Sequence, residues 1–189
     1  MGQPKATLPF GPETMLARVV RLLGSAVDPL VVVAAVGQQL PQLPEPVDVV
    51  YDRQEDRGPL EGLAAGLHAL AGRAEAAFVT TCDAPLLHPA FVRRMVELSA
   101  GYCVAVPHIG RYDEPLAAVY RTDVLPQVES LLDADRRRIV YLYDLVATRR
   151  VAAEELCDVD PKLQSLENVN SIEDYEAALI KAGPFNNRA

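Results

Sequence analysis

Apolar positions along the chain switch between two rhythms. In "TMLARVVRLLGSA", Met15, Leu16, Val19, Val20 and Leu23 recur at the three-and-four spacing of one helical face, whereas "LVVVAA" just after it is a short unbroken β-branched run. The alternation then repeats. "VDVVYD" reads as a strand, "PLEGLAAGLHALA" as a helix, "AAFVTTCD" as a strand and "PAFVRRMVELSA" as a helix. Strands without a polar face need cover on both sides, and the intervening helices supply it. The first half therefore predicts βαβ units in a mainly parallel sheet, a three-layer α/β/α fold of Rossmann-like kind. After "CVAVPHIG" the rhythm loosens. "EPLAAVYR" suits a strand, "DVLPQVESLLDAD" and "RRIVYLYDLV" suit helices, "RRVAAEEL" an edge strand and "SIEDYEAALIKAG" a closing helix, with the tail "PFNNRA" expected to fray.

Composition narrows the classes. The 189 residues, half of them hydrophobic, suit one domain with a full core. With 18 Lys and Arg against 26 Asp and Glu the net charge is −8, which argues against a general nucleic-acid or membrane-surface binder. A polyanionic ligand would have to be held locally, by a metal, a few placed cations or backbone N–H groups. Cys82, Cys103 and Cys157 are an odd, widely spaced set that fits neither a disulfide framework nor a CxxC metal site, and a reducing cytoplasm is the expected compartment. His68, His88 and His108 show no metal-ligand pairing and are expected to be structural or solvent-facing.

In doubly wound folds ligands gather beyond the carboxyl ends of the strands. "CDAPLL" places Asp83 just past an apolar strand. A carboxylate there suits a hard cation such as Mg²⁺, which takes one or two protein carboxylates and fills its remaining positions with water and phosphate, and it suits equally the closing of a turn. "DRGPLEGL" follows the strand ending at Asp52 and leads into a helix, with Pro59 at its start. Gly58 and Gly62 leave backbone open to a flat ligand, although Gly62, Ala65, Gly66 and Ala69 also sit at the spacing of close helix-on-sheet packing. In "ENVNSIEDY", Ser171 and Asp174 have the spacing of a capping box, and Asn168 and Asn170 point the same way if the segment is extended, the alternative being a turn role. Arg136, Arg137 and Arg138 form either a solvated face or an anion contact. The chain contains no GxxxxGK[ST], GxGxxG or GxSxG.

Taken in order, "MGQPKATLPFG", "DRGPLEGL", "CDAPLL", "DEPLAAVYR" and "NVNSIEDY" resemble the molybdenum cofactor guanylyltransferase (MobA) family over nearly the whole chain. That resemblance implies a nucleotidyltransferase that joins the GMP part of GTP to the phosphate of molybdopterin, with Mg²⁺ as cofactor and pyrophosphate as second product. It implies Lys5 on the GTP phosphates, Asp83 on Mg²⁺, Asp52 at the nucleotide site, and the Gly58, Pro59, Leu60, Gly62 stretch around guanine. Asn168 and Asn170 match the family's paired asparagines, with Ser171 and Ile172 in place of its Thr and Pro; Arg137 and Arg138 are assigned with them to the molybdopterin side. Residues 1–110 would form the nucleotide half and 111–183 the molybdopterin half. Transient contact with other proteins of the cofactor pathway is implied, and no nucleic acid or membrane.

The resemblance also implies a central strand and a glycine-rich phosphate loop ahead of Met1. In the family that loop has the form LAGGxSxRMGxxK, and a start assigned too late or a degraded family member are the two explanations for a chain that begins at its Met-Gly. A cytidylyltransferase, a sugar-nucleotide transferase of the same fold and a non-catalytic cofactor-binding paralogue are the alternatives in function.

Overall fold

In the computed structural model, which describes residues 4–44, 46–52 and 57–183, the expected elements fall close to the sequence pattern. A short hairpin of β1 (Pro9–Phe10) and β2 (Glu13–Thr14) leads into helix α1 (Met15–Gly24). Thr14 caps α1, its hydroxyl accepting from the Ala17 N–H at 3.3 Å. Strands β3 (Val31–Ala34) and β4 (Asp48–Tyr51) pair in parallel, and α2 (Pro59–Leu70) follows. Then come β5 (Ala76–Thr80), α3 (Pro89–Leu98), β6 (Val104–Ile109), β7 (Tyr112–Asp113), β8 (Ala117–Arg121), α4 (Leu125–Asp133), β9 (Thr148–Ala152) and α5 (Ile172–Ala182).

One expected helix is different: "RRIVYLYDLV" forms a 3-10 helix over Ile139–Asp144. Tyr and β-branched Ile and Val weaken α propensity there, and the tighter turn still buries Ile139, Leu142 and Tyr143.

The larger sheet carries β5, β8 and β6 side by side, with β7 and β9 both on β6. Because β8 is antiparallel to both β5 and β6, and β9 is parallel to β6, the strands β5, β6 and β9 all run the same way. The parallel set is thus interrupted by one reversed strand, a detail that periodicity does not encode. Leu60, Leu63 and Leu67 of α2 and Val128, Leu131 and Leu132 of α4 pack on one face, and Phe91, Val92 and Met95 of α3 with Val19 of α1 on the other. These are the three expected layers.

Between β3 and β5 the sheet is interrupted. Among the described residues β3 pairs only with β4 and β5 only with β8, and a cavity of about 970 Å³ separates them. Val31, Val32 and Val33 line one side and Ala76, Ala77 and Val79 the other; α1 (Leu16, Val19, Val20) and α2 (Leu63, Gly66, Leu67) cover the two faces. This explains why the "VVV" run, which reads as a fully buried strand, is only half-buried. Two open strand edges flanking a slot roofed by two helices form the geometry that one further strand would complete.

A separate core cluster positions the site. Phe10 and Met15 from the N-terminal segment, Leu86 after β5, and Val169 and Ala178 around α5 pack together. Tyr175 stacks edge-on against Phe10 with ring centroids 6.1 Å apart, and its hydroxyl donates to the Pro9 carbonyl. The Val169 N–H donates to the Asp83 carbonyl at 2.8 Å. Segments distant in sequence are thereby held around the carboxyl end of β5.

Candidate active site

Asp83 lies in the turn that ends β5, where Pro85 prevents further ladder pairing. The Thr81 hydroxyl donates to one oxygen of its carboxylate, and the ammonium of Lys5 donates to the other at 2.8 Å. Lys5 opens a 3-10 turn over Lys5–Thr7 just before the hairpin. The same ammonium donates to Oδ1 of Asn170 at 2.7 Å. One cation therefore bridges the carboxylate in the turn after β5 and an amide beside α5, across sequence separations of 78 and 165 residues.

Asn170 is oriented through its backbone. The Asp174 carboxylate accepts from the N–H of Asn170 at 3.0 Å and of Ser171 at 2.9 Å, while Ser171 Oγ accepts from the Asp174 N–H at 3.0 Å. This is the expected capping box, with one extra bond that reaches Asn170. Hydrogen bonds from the Asn170 N–H, the Ser171 N–H and the Ser171 hydroxyl hold the Asp174 carboxyl below its ordinary pKa. Asn168 is exposed and makes no side-chain hydrogen bond among the described residues. Of the expected amide pair, only Asn170 joins the cluster.

Four of the residues expected at the nucleotide lie on the cavity. Asp52, Gly58, Pro59 and Gly62 line it together with Thr80, Thr81 and Cys82, so the slot between β3 and β5 opens at the carboxyl edge beside Asp83. Gly58 has φ of 75°, a conformation that disfavours any side chain, and Pro59 follows at the first helical position. A Cβ on Gly62 would sit 3.6 Å from Asp52 Oδ1, so the absence of a side chain there leaves that oxygen approachable. Both Asp52 Oδ1 and Thr80 Oγ1 are buried without a hydrogen-bond partner among the described residues. Burial, and then the neighbouring Glu61 carboxylate, push the Asp52 pKa up. Buried acceptors with no donor at the mouth of a cavity suit a ligand or chain segment that brings N–H groups.

Leu60 is 0 % exposed and its side chain belongs to the core beneath α2, sharing an i, i+3, i+7 face with Leu63 and Leu67, so any contact it makes with a nucleotide would come from its backbone. The arginine run lies on the loop after α4. Arg136 and Arg138 are placed over the Tyr141 ring, at 4.2 and 5.9 Å, and Arg137 pairs with Asp135 at 2.6 Å. The loop follows Leu132 of α4, whose carbonyl accepts from Arg57 just ahead of α2, so the run lies on the side of the molecule where α2 begins. Arg53 to Asp56, and with Asp56 the first residue of the "DRGPLEGL" stretch, lie outside the described residues, as do Met1 to Gln3 and the tail from Pro184.

Two contributors were not singled out from sequence as parts of the site: Thr81, which grips Asp83, and Asp174, whose role extends from capping α5 to orienting Asn170. The signal for Thr81 was present as a hydroxyl two residues before the strand-end aspartate. His108 pairs with Asp113 at 2.7 Å, and no group of three or more His, Cys, Asp or Glu among the described residues is arranged to hold a metal. Asp83 nevertheless fits a hard cation that takes most of its ligands from phosphate and water. Cys82, Cys103 and Cys157 are free thiols; burial, and then the Asp83 carboxylate, push the Cys82 thiol up, so it stays protonated. No helix among the described residues is long and apolar enough to cross a membrane.

A three-layer α/β fold with a carboxylate, a lysine and an amide at the carboxyl edge, beside a cavity lined by a glycine-bearing helix start, defines a nucleotidyltransferase. Residues 1–150 match the MobA-like NTP transferase domain, and the chain belongs to that family. It is 32% identical over 182 residues to the probable molybdenum cofactor guanylyltransferase of Methanosarcina mazei, covering 91% of this chain and 80% of the relative. It is 38% identical over 178 residues to the protein of the same name from Mycobacterium tuberculosis strain H37Ra, covering 90% and 83%. Among solved structures, molybdopterin-guanine dinucleotide biosynthesis protein A of Archaeoglobus fulgidus shares the fold, with a TM-score of 0.77 over 96% of this chain and 91% of that one at 19% identity.

Proposed function

We propose that this chain transfers GMP from GTP to the phosphate of molybdopterin, forming the guanine dinucleotide cofactor and pyrophosphate. The observation that carries the reading is the Lys5 bridge: a cation placed between the carboxylate at the cavity mouth and the amide beside α5, where a nucleotide and a second substrate would meet. The relatives' names support the choice of guanine nucleotide and molybdopterin.

In this reading an oxygen of the molybdopterin phosphate forms a bond to the α-phosphorus of GTP, and the bond from that phosphorus to the bridging β-phosphate oxygen breaks in line. Pyrophosphate carries the electron pair away, and no covalent enzyme intermediate is needed. The protein's work is then positioning and charge neutralisation. Asp83 would hold a divalent cation such as Mg²⁺, with Thr81 fixing the carboxylate's orientation. When bound, such an ion neutralises phosphate charge as it accumulates. Lys5 would stabilise the departing pyrophosphate. Asp52, kept from solvent at the mouth, would accept from the N–H edge of the base, with the Gly58 to Gly62 backbone lying against its plane. Asn170 would orient the pterin substrate.

The test is turnover of molybdopterin with GTP and Mg²⁺, read as dinucleotide formed and pyrophosphate released, with CTP and UTP as competitors. GTP-selective dinucleotide formation is expected. Preferential use of CTP or UTP, or release of pyrophosphate without a pterin product, would refute the assignment.

A further inference from the structure

The ammonium of Lys5 occupies both halves of the site at once. Its donation to Asp83 Oδ2 takes the carboxylate oxygen that Thr81 leaves open, and its donation to Asn170 Oδ1 takes the amide acceptor. A divalent cation approaching Oδ2 meets a like charge at hydrogen-bond distance, so Lys5 and the metal compete for one oxygen. The lysine side chain is 33% exposed and sits on a four-carbon stem, which lets its head move while the backbone stays in place. Thr81 keeps the carboxylate aimed during that exchange, and Asp174 keeps the Asn170 backbone in place through the N–H that it accepts. Loss of the ammonium would leave Asn170 Oδ1, on an exposed residue, without its donor.

We propose that Lys5 is a latch between the two substrate sides, alternating between two sets of partners: in one it ties Asp83 to Asn170, and in the other, on metal–nucleotide binding, it transfers to the phosphates and releases the Asn170 amide for the second substrate. Binding is then ordered, with nucleotide first. The inference rests on the nucleotidyltransferase reading above. It adds a competition between lysine and metal that holding of phosphates alone would not produce.

The experiment measures Mn²⁺ binding to the full chain without nucleotide, in wild type, Lys5→Met, Asp83→Asn and the double variant. Lys5→Met should tighten Mn²⁺ by about tenfold, the worth of one displaced charge-assisted hydrogen bond, although it weakens metal–GTP binding. Asp83→Asn should abolish the gain. In parallel, the side-chain amide resonance of Asn170 should shift when wild type takes up Mg²⁺ and GTP, and should already lie near the shifted position in nucleotide-free Lys5→Met. Unchanged Mn²⁺ affinity in Lys5→Met, or a gain that persists in the double variant, overturns the latch. So does an Asn170 resonance that is indifferent to nucleotide, while the transferase reading survives if wild type binds metal–GTP. Failure of wild type to bind metal–GTP at all overturns both.

Discussion

Supplying a strand to the slot between β3 and β5 should stabilise this protein by several kcal/mol. The perturbation is a chain extended ahead of Met1 by a segment of β-branched apolar residues, compared with an extension of equal length made of Gly and Ser. The slot is bounded by four residues of β3 and five of β5, so about five residues of new strand can pair on both sides. Burying five apolar side chains at about 2 kcal/mol each contributes about 10 kcal/mol. About ten new ladder hydrogen bonds at roughly 0.5 kcal/mol add about 5 kcal/mol. Ordering five residues at about 1.5 kcal/mol each costs about 7 kcal/mol. The balance is a stabilisation of roughly 5 to 8 kcal/mol, which for a chain of this length raises the Tm by about 10 to 30 °C. Thermal unfolding followed by circular dichroism gives the Tm, and urea titration should show a larger m-value, because more surface is exposed on unfolding. If the apolar and the Gly/Ser extensions melt within about 2 °C of each other, the slot is not a strand site and the argument from open edges is wrong. Calorimetry on the same pair adds a functional readout: tighter metal–GTP binding by the apolar extension is expected, since strand and nucleotide share the cavity mouth.

Asp83→Asn should lower kcat by about 10² or more with little loss of fold, and by more than Asn170→Ala, because it removes charge needed to hold the cation; steady-state kinetics on an active form checks the ranking. Phe10→Ala should destabilise by about 3 to 5 kcal/mol in urea titration, and should also loosen the Lys5 bridge, since Phe10 is fully buried in the cluster joining the N-terminal hairpin to α5. Gly58→Ala should cost about 1 to 2 kcal/mol because of its positive φ, whereas Gly66→Ala, in a helix interior with an ordinary 3.5 Å contact to Val33, should be neutral or stabilising; equal effects would contradict the conformational argument. Asp174 has a depressed pKa in the folded state, so its contribution is fully present above the unfolded value and is lost as pH falls through the lower folded value; hydrogen-exchange protection of the first turn of α5, taken relative to the intrinsic rate at each pH, should fall on acidification below about pH 4 in wild type but not in Asp174→Ala.

What the sequence determined on its own was whatever depends on local order. The i, i+3, i+4 rows of α1 and the short apolar runs of β3 and β5 specify their elements because the choice between helix and strand follows from the spacing and length of apolar runs. Ser171 and Asp174 announce the start of α5 because a cap is made within four residues. The position of Asp83 was legible for the same reason, as a carboxylate placed at the end of an apolar run. Tertiary structure alone decided which of these residues meet. Nothing local in "PKAT" or "NVNS" says that Lys5 will bridge Asp83 and Asn170; that depends on Phe10, Leu86, Val169 and Ala178 burying their side chains together. Local order likewise could not separate Asn170 from Asn168, since only the packed chain turns one amide toward the lysine, nor say that the Leu60 side chain would face the core, since its burial comes from α4 and the sheet. The reversed strand β8 and the slot between β3 and β5 belong to the same category, because strand pairing is a long-range choice that a single strand's sequence does not contain.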